Sequence, residues 1–376
     1  MKLKTATVIA ALLSTSAGVQ AEVVRLGYNG PPDLEKNAVH LFATTLEELV
    51  EAQTDIEFEL FPNSSLGEEQ ERMENTLASP MLNVASFAGL SPIAPEVFVS
   101  NTPFMFNSPE EARTFFDEGT YWQMVVEAFN DRTGSELLAV IEEGGFLAFT
   151  TTDTPIYSPT DFDGLRMRAM DPSQVALYEA MGASGTPVPW TEVYGALQTG
   201  VVEGQMNPPL YIRLGSLNEV QTYLTRANIQ YSMQFLVGNG EWLASLSDED
   251  RAILDAAIVE ANAITRDDVQ ANVEARVDWL AENGMEIIEP TEEAMAEFQS
   301  IGQPSFIEWL GEQDIDPSFI EAAFEDLGGY AIGSETSRDP GTPNHWRVSN
   351  PGALRDVFHP LWRFLALFFG SFAHLV

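Results

Sequence analysis

Apolar and polar positions along this chain change period several times, and each change predicts an element. Val23 to Tyr28 is a short apolar run expected to form a strand. Pro32-Asp33 then reads as the start of a helix whose Leu34, Ala38, Leu41, Phe42, Leu46 and Leu49 share one face. Ile56-Glu57-Phe58-Glu59-Leu60 alternates as a half-buried strand does. Leu66-Gly67-Glu68-Glu69 opens a helix through about Leu77, and Met81 to Phe87 predicts a third strand. Strand, helix, strand in this order makes a parallel wind.

The same wind is expected again between Asp161 and Pro209. From Gly164, Leu165, Met167 and Ala169 alternate with Arg166, Arg168 and Met170, which brings a guanidinium to the carboxyl end of a strand. Asp171-Pro172 is a helix start, with an oxygen acceptor at the cap and a ring that presets φ, and Gly182 is its stop. A short strand over Thr186 to Trp190 follows, then Thr191 as a second cap, a helix through Gln198 and Gly200 as its terminator. Val201 and Val202 begin an extended piece that ends at Asn207-Pro208-Pro209. Ligands of parallel sheets collect at the carboxyl ends of strands. Arg168, Trp190 and Asn207 fall there, as do Asn29, Ser86 and Phe87 in the first wind.

Ser247-Asp248-Glu249-Asp250 is a capping-box start, and no proline or glycine follows until Gly284. A helix of about 36 residues would run roughly 54 Å, longer than one lobe of a chain this size, so it should lie across two. The alternative is a helix broken near Thr265.

Composition narrows the function. The chain has 376 residues, with 57 acids against 18 bases, a formal charge of −39 and no cysteine. That charge repels phosphates and argues against nucleic acid as a partner. Residues 1–21 carry Lys2 and Lys4, an apolar run from Ala6 to Leu13 and small residues ending Val19-Gln20-Ala21, the pattern of a secretory signal. An exported chain without cysteine must be stabilised by packing rather than disulfides. Three of the four histidines, His345, His359 and His374, lie near the C-terminus, and no zinc spacing or nucleophile motif occurs, which weakens an exported hydrolase. Neither a cofactor nor a metal is implied.

Three ordered blocks carry a resemblance: Gly164-Leu165-Arg166-Met167-Arg168, Glu192-Val193-Tyr194-Gly195-Ala196-Leu197-Gln198-Thr199-Gly200, and Glu203-Gly204-Gln205-Met206-Asn207-Pro208. They resemble the extracytoplasmic solute-binding proteins of tripartite ATP-independent periplasmic (TRAP) transporters, the DctP-type family. The resemblance implies an α/β fold of two lobes around a cleft, bridged by a long helix, in a periplasmic protein that hands its solute to membrane permease subunits. It implies that Arg168 pairs with the ligand carboxylate and that Asn207 helps to hold it. A guanidinium suits that role because its fork can donate two parallel hydrogen bonds. The bland alternative is an ordinary ion pair of Arg168 with one of the many acids.

Within the family, Pro155-Ile156-Tyr157-Ser158-Pro159, Arg168-Ala169-Met170 and Pro187-Val188-Pro189-Trp190 look most like the ectoine and hydroxyectoine branch. That likeness implies Trp190 on the ligand ring, with core packing as its alternative, and Tyr211 in place of a branch aromatic. The branch glutamate near the first strand is missing, and Asn29 occupies that neighbourhood as a ligand contact or a turn residue. Ser86 lies at the end of the third strand beside Phe87, which is either a ligand platform or core. Gly144 to Thr150, in the crossing between lobes, contains no cation, which argues against a dianionic ligand. C4-dicarboxylates and other organic acids such as keto acids are the alternative ligands.

The expected layout is a signal at 1–21, a first lobe at 22–145 with about 234–265, and a second at 146–233 with about 266–333. Residues 334–352 read as a linker and 353–376 as an apolar tail. The tail admits three readings: an interfacial membrane anchor, which an anchored ligand sensor would also need, a dimer contact, or a frameshift extension. Residues 22–333 are expected to bind ligand unaided.

Overall fold

The computed structural model describes residues 22–328. The signal, the linker and the apolar tail expected from the sequence lie outside those residues. Among the described residues, eleven strands form two sheets. The first contains β1 (Glu22–Gly27), β2 (Ile56–Phe61), β3 (Met81–Ala85), β4 (Glu136–Phe146) and β10 (Tyr231–Gly238). The second contains β5 (Ala148–Thr151), β6 (Arg166–Ala169), β7 (Ser184–Pro187), β8 (Gly204–Asn207), β9 (Tyr223–Thr225) and β11 (Glu286–Ile288). Their orders are β2-β1-β3-β10-β4 and β11-β9-β5-β8-β6-β7. Both expected parallel winds are present: β1 pairs parallel with β2 and β3, and β6 with β7 and β8.

The fold is α/β and two-lobed, with apolar clusters packed around each sheet. The chain crosses between sheets at Leu147, the single residue separating β4 from β5, and again between Thr225 and Tyr231. A third connection is the helix Asp248–Glu282, 35 residues long and unbroken at Thr265. Ser247 Oγ caps it by accepting from Asp250 N at 3.0 Å. Its Leu254, Ala257, Ile258 and Ala261 pack in the core of the first lobe, while Leu280 packs in that of the second. One rigid rod therefore belongs to both cores. The helix Pro317–Asp326 packs on Thr120–Thr133, beside the first sheet.

Local details differ from the sequence expectation in three places. The first helix begins at Ala38, not at Pro32-Asp33, because Asp33 Oδ1 accepts from the amides of Glu35 and Lys36 in a turn of its own. Asn37 is the cap instead, accepting from Val39 N and His40 N, and Leu34 is left exposed. The third strand stops at Ala85, where Ser86 Oγ caps a short helix, Phe87–Leu90. The strand expected over Thr186–Trp190 is shifted to Ser184–Pro187, and Trp190 and Thr191 sit in a 3₁₀ turn ahead of the helix Val193–Gln198. Thr191 caps nothing and reaches across to the other lobe.

The lobes are closed on each other. Thr191 Oγ1 donates to Glu68 Oε1 at 2.7 Å, and Asn101 Nδ2 donates to Ser173 Oγ at 2.9 Å. Gln303 Nε2 reaches the Pro103 carbonyl at 3.0 Å.

Candidate functional site

Arg168 sits in β6, one residue before the strand ends, and is only 4% exposed. Its Nε donates to the Val188 carbonyl at 2.9 Å, and its two terminal nitrogens have no partner among the described residues. Burial pushes its pKa down, and the acids it feels, Asp171, Glu69 and Glu143, do not form ion pairs with it among the described residues. Asp171, the nearest acid in sequence, is engaged elsewhere. Its Oδ1 caps the helix Pro172–Ala180 by accepting from Ser173 N, Ser173 Oγ and Gln174 N. The ordinary ion pair that was the alternative for Arg168 is absent among the described residues.

Asn207 ends β8, which pairs antiparallel with β5 and parallel with β6. Its Nδ2 donates to Gln205 Oε1. Trp190 meets Tyr211 edge to face with ring centroids 5.1 Å apart. Tyr211 lies on the short helix Pro209–Leu214 that follows Asn207-Pro208, and its hydroxyl accepts from Gln234 Nε2 at 2.8 Å. Burial first, and the Glu143 charge second, raise the Tyr211 pKa well above the usual phenol range.

Asn29 and Ser86, both expected from sequence, converge on a residue that was not. Glu69 Oε1 accepts from Asn29 Nδ2, and Oε2 accepts from Ser86 Oγ at 2.6 Å and Ser86 N at 3.1 Å. Phe87 is placed differently: it is 2% exposed and packs edge-on against Phe235 in the core of the first lobe, its ring centroid 5.1 Å away. Of its two readings, core packing is the one the structure displays.

Glu143 is a second residue that sequence reasoning missed. It lies where β4 bulges against β10: Met233 pairs with Glu142 and Ser232 with Gly145, so Glu143 and Gly144 have no partner in the register. Gly145 takes φ +89, which a side chain would strain, and a Cβ on Gly144 would approach Pro208 and Leu210 at 3.0 Å. A bulge beside a site re-aims a side chain. Glu143 accepts from Ser232 Oγ at 2.6 Å and from Gln234 Nε2. Burial, and after it the Glu69 charge, push its carboxyl up, against the hydrogen bonds that lower it. The signal that could have found Glu143 is two adjacent acids in an otherwise apolar strand, Ala139-Val140-Ile141-Glu142-Glu143. Reading the crossing segment for cations alone overlooks it.

A cavity of about 300 Å³ opens between Gly30, Pro31, Asn63 and Ser64 of the first lobe and Trp190, Thr191 and Tyr194 of the second. Of the site residues expected from the sequence, only Trp190 lines it. The closed junction thus holds one guanidinium with unused donors, two carboxylates, a phenol, amides and an indole. It is equipped to hold a small charged molecule. Among the described residues, no three His, Asp or Glu side chains are grouped to take a metal ion.

Comparison with known proteins bears on this geometry. The model of the family "bacterial extracellular solute-binding protein, family 7" matches residues 28–312. The chain is 29% identical over 309 residues to the ectoine/5-hydroxyectoine-binding periplasmic protein UehA of Ruegeria pomeroyi, a match covering 80% of this chain and 89% of the relative. It is 28% identical over 323 residues to the ectoine-binding periplasmic protein TeaA of Halomonas elongata, covering 83% and 92%. In structure it resembles a TRAP periplasmic solute-binding protein of Polaromonas sp. JS666 bound to D-erythronate. That match has a TM-score of 0.73 and 27% identity, over 80% of this chain and 98% of the other.

Proposed function

The chain belongs to family 7 of the bacterial extracellular solute-binding proteins, and from that premise we propose that it captures a small carboxylate-bearing solute in the periplasm for a TRAP permease. The ligand carboxylate is held by Arg168 and Asn207, and Trp190 with Tyr211 forms the aromatic side of the site. An ectoine-like compatible solute is favoured. The protein does no chemistry on its ligand. It acts by closing two lobes on it and presenting the closed form to the membrane subunits.

The observation that carries this reading is the Arg168 guanidinium, more than nine-tenths buried with both terminal nitrogens unpaired among the described residues. A desolvated cation is costly unless an anion meets it, and a carboxylate can accept from both ends of the fork. Against a C4-dicarboxylate or another dianion stands the lack of any second cation in the crossing segment 144–150. Calorimetric titration with ectoine and, separately, with malate tests the proposal, repeated on Arg168→Ala. Ectoine binding that weakens by about 30-fold or more in the variant is expected, since removing one member of a buried charge pair costs roughly 2–5 kcal/mol. Unchanged affinity in Arg168→Ala would remove the proposed anchor, and malate binding in place of ectoine would move the ligand class to dicarboxylates.

A further inference from the structure

Four acids are buried among the described residues, and two of them are paired with a guanidinium. Glu142 has Arg113 at 2.5 Å and Arg266 at 3.8 Å, and Glu96 has Arg132 at 3.0 Å. Asp171 has the amino end of a helix and the Ser173 hydroxyl on its Oδ1, yet burial pushes its carboxyl up as well and its Oδ2 has no partner among the described residues. Glu143 has only the neutral donors Ser232 and Gln234 beside the Tyr211 hydroxyl, with the Glu69 carboxylate close enough to push its carboxyl further up. The nearby cations do not neutralise it by contact. Arg168 makes no ion pair among the described residues, and the buried Arg72 spends its nitrogens on Asn83 Oδ1 and the carbonyls of Gly67 and Val84.

Two further side chains indicate what is lacking. Gln234, fully buried, gives its Nε2 to Glu143 and Tyr211, and its Oε1 has no donor. Arg168, in the other lobe, has two terminal nitrogens with no acceptor among the described residues. One wall of the junction needs N–H donors with positive charge, and the other needs a carboxylate. The bulge in β4 that aims Glu143 sits at the crossing between the lobes, so a solute satisfying both walls would hold them together.

We propose that Glu143 receives a protonated N–H group of the solute, with Glu69 beside it. The site thereby selects compact zwitterions, in which a cationic nitrogen lies a few bonds from a carboxylate, and rejects dianions. This rests on the reading that Arg168 holds the carboxylate. It assigns specificity to the opposite wall: a second carboxylate placed there would meet two acids, whereas an N–H cation would pair with Glu143 and supply the donor that Gln234 Oε1 lacks.

The test is calorimetry on the full chain with four probes. Ectoine and L-proline are cyclic zwitterions, cyclopentanecarboxylate has the ring and carboxylate of proline without its nitrogen, and malate is a dianion. Wild type, Glu143→Gln and Arg168→Ala are compared, with a melting curve of each variant to establish folding. The expectation is that at least one zwitterion binds wild type, that Glu143→Gln weakens it roughly 10- to 100-fold, and that both nitrogen-free probes bind wild type more weakly by a similar factor. Arg168→Ala should abolish all binding. If Glu143→Gln leaves the zwitterion affinity unchanged while Arg168→Ala abolishes it, the cation subsite is refuted and the carboxylate anchor stands. If Arg168→Ala leaves binding intact, the anchor itself has failed. Failure of both zwitterions to bind at millimolar concentration also overturns the inference.

Discussion

Glu142 and Glu143 are neighbours on β4, both withdrawn from water, and they meet the cost of a desolvated charge in different ways. Glu142 takes two hydrogen bonds from Arg113, and Arg266 of the long helix stands 3.8 Å away. Arg113 in turn reaches the Arg266 carbonyl and Gln270, so this side of the strand is tied to the rod that spans the lobes. Glu143 faces Ser232, Gln234 and Tyr211, and its carboxyl is pushed up by burial instead of being held down by a cation. The difference teaches how to separate architecture from function in so acidic a chain. Glu142, which already has its guanidinium, is part of the scaffold, and Glu143, with neutral donors alone, is the one of the two that can take a partner from outside.

That comparison can be broken experimentally, most forcefully at Glu142. Glu142→Ala removes the carboxylate that Arg113 holds, while Arg266 keeps Asp117, and should cost about 3–5 kcal/mol in denaturant unfolding. A loss below about 1 kcal/mol would mean that the ion pair is not what supports β4.

Glu143 should behave in the opposite sense. A carboxyl raised by burial binds its proton more tightly in the folded chain than in the unfolded one, so it favours folding at pH below the ordinary glutamate value of 4.5. That contribution is lost as the pH climbs through the raised folded value. Glu69, Tyr211 and Arg168 face it, the first opposing ionisation and the last favouring it. Ligand-free wild type should therefore lose stability relative to Glu143→Gln as pH rises above about 4.5, by up to about 1.4 kcal/mol per pH unit until the raised folded value is passed. Parallel melting temperatures for the two proteins from pH 4 to 8 would contradict it.

The smallest effect sharpens the comparison at the aromatic rim. Trp190 packs on Tyr211, the phenol beside Glu143, and also lines the outer cavity. Trp190→Ala should weaken solute binding by roughly tenfold, through lost aromatic contact area, without changing the pH dependence set by Glu143. A change in that pH profile would show that the indole controls access of water to the carboxyl.

Much of the scaffold was legible in the chain alone. The parallel winds, the Asp171 cap, the 35-residue helix and the position of Arg168 near a strand's carboxyl end follow from period and capping chemistry, which act over a few residues. Where two caps competed, at Asp33 and Asn37, local reading chose the wrong one, because Asp33 bonds to the amides of its own turn. Phe87 shows the limit at the next level. A phenylalanine at a strand end has two destinations, and only Phe235, far along the chain on β10, decides for the core.

Glu69 and Glu143 mark the boundary most clearly. As residues they are two of 57 acids; the apolar run before Glu142-Glu143 marks that pair as buried, but nothing in the immediate neighbours tells Glu143 from Glu142 or Glu69 from solvated acids. What distinguishes Glu143 is a bulge against β10 and an amide 91 positions away, and what distinguishes Glu69 is Asn29 and Ser86 arriving from two different strand ends. Periodicity and caps are written locally because backbone hydrogen bonds close over short distances. The need of a buried charge for a partner depends on everything that surrounds it, so it was decided only when distant segments packed together.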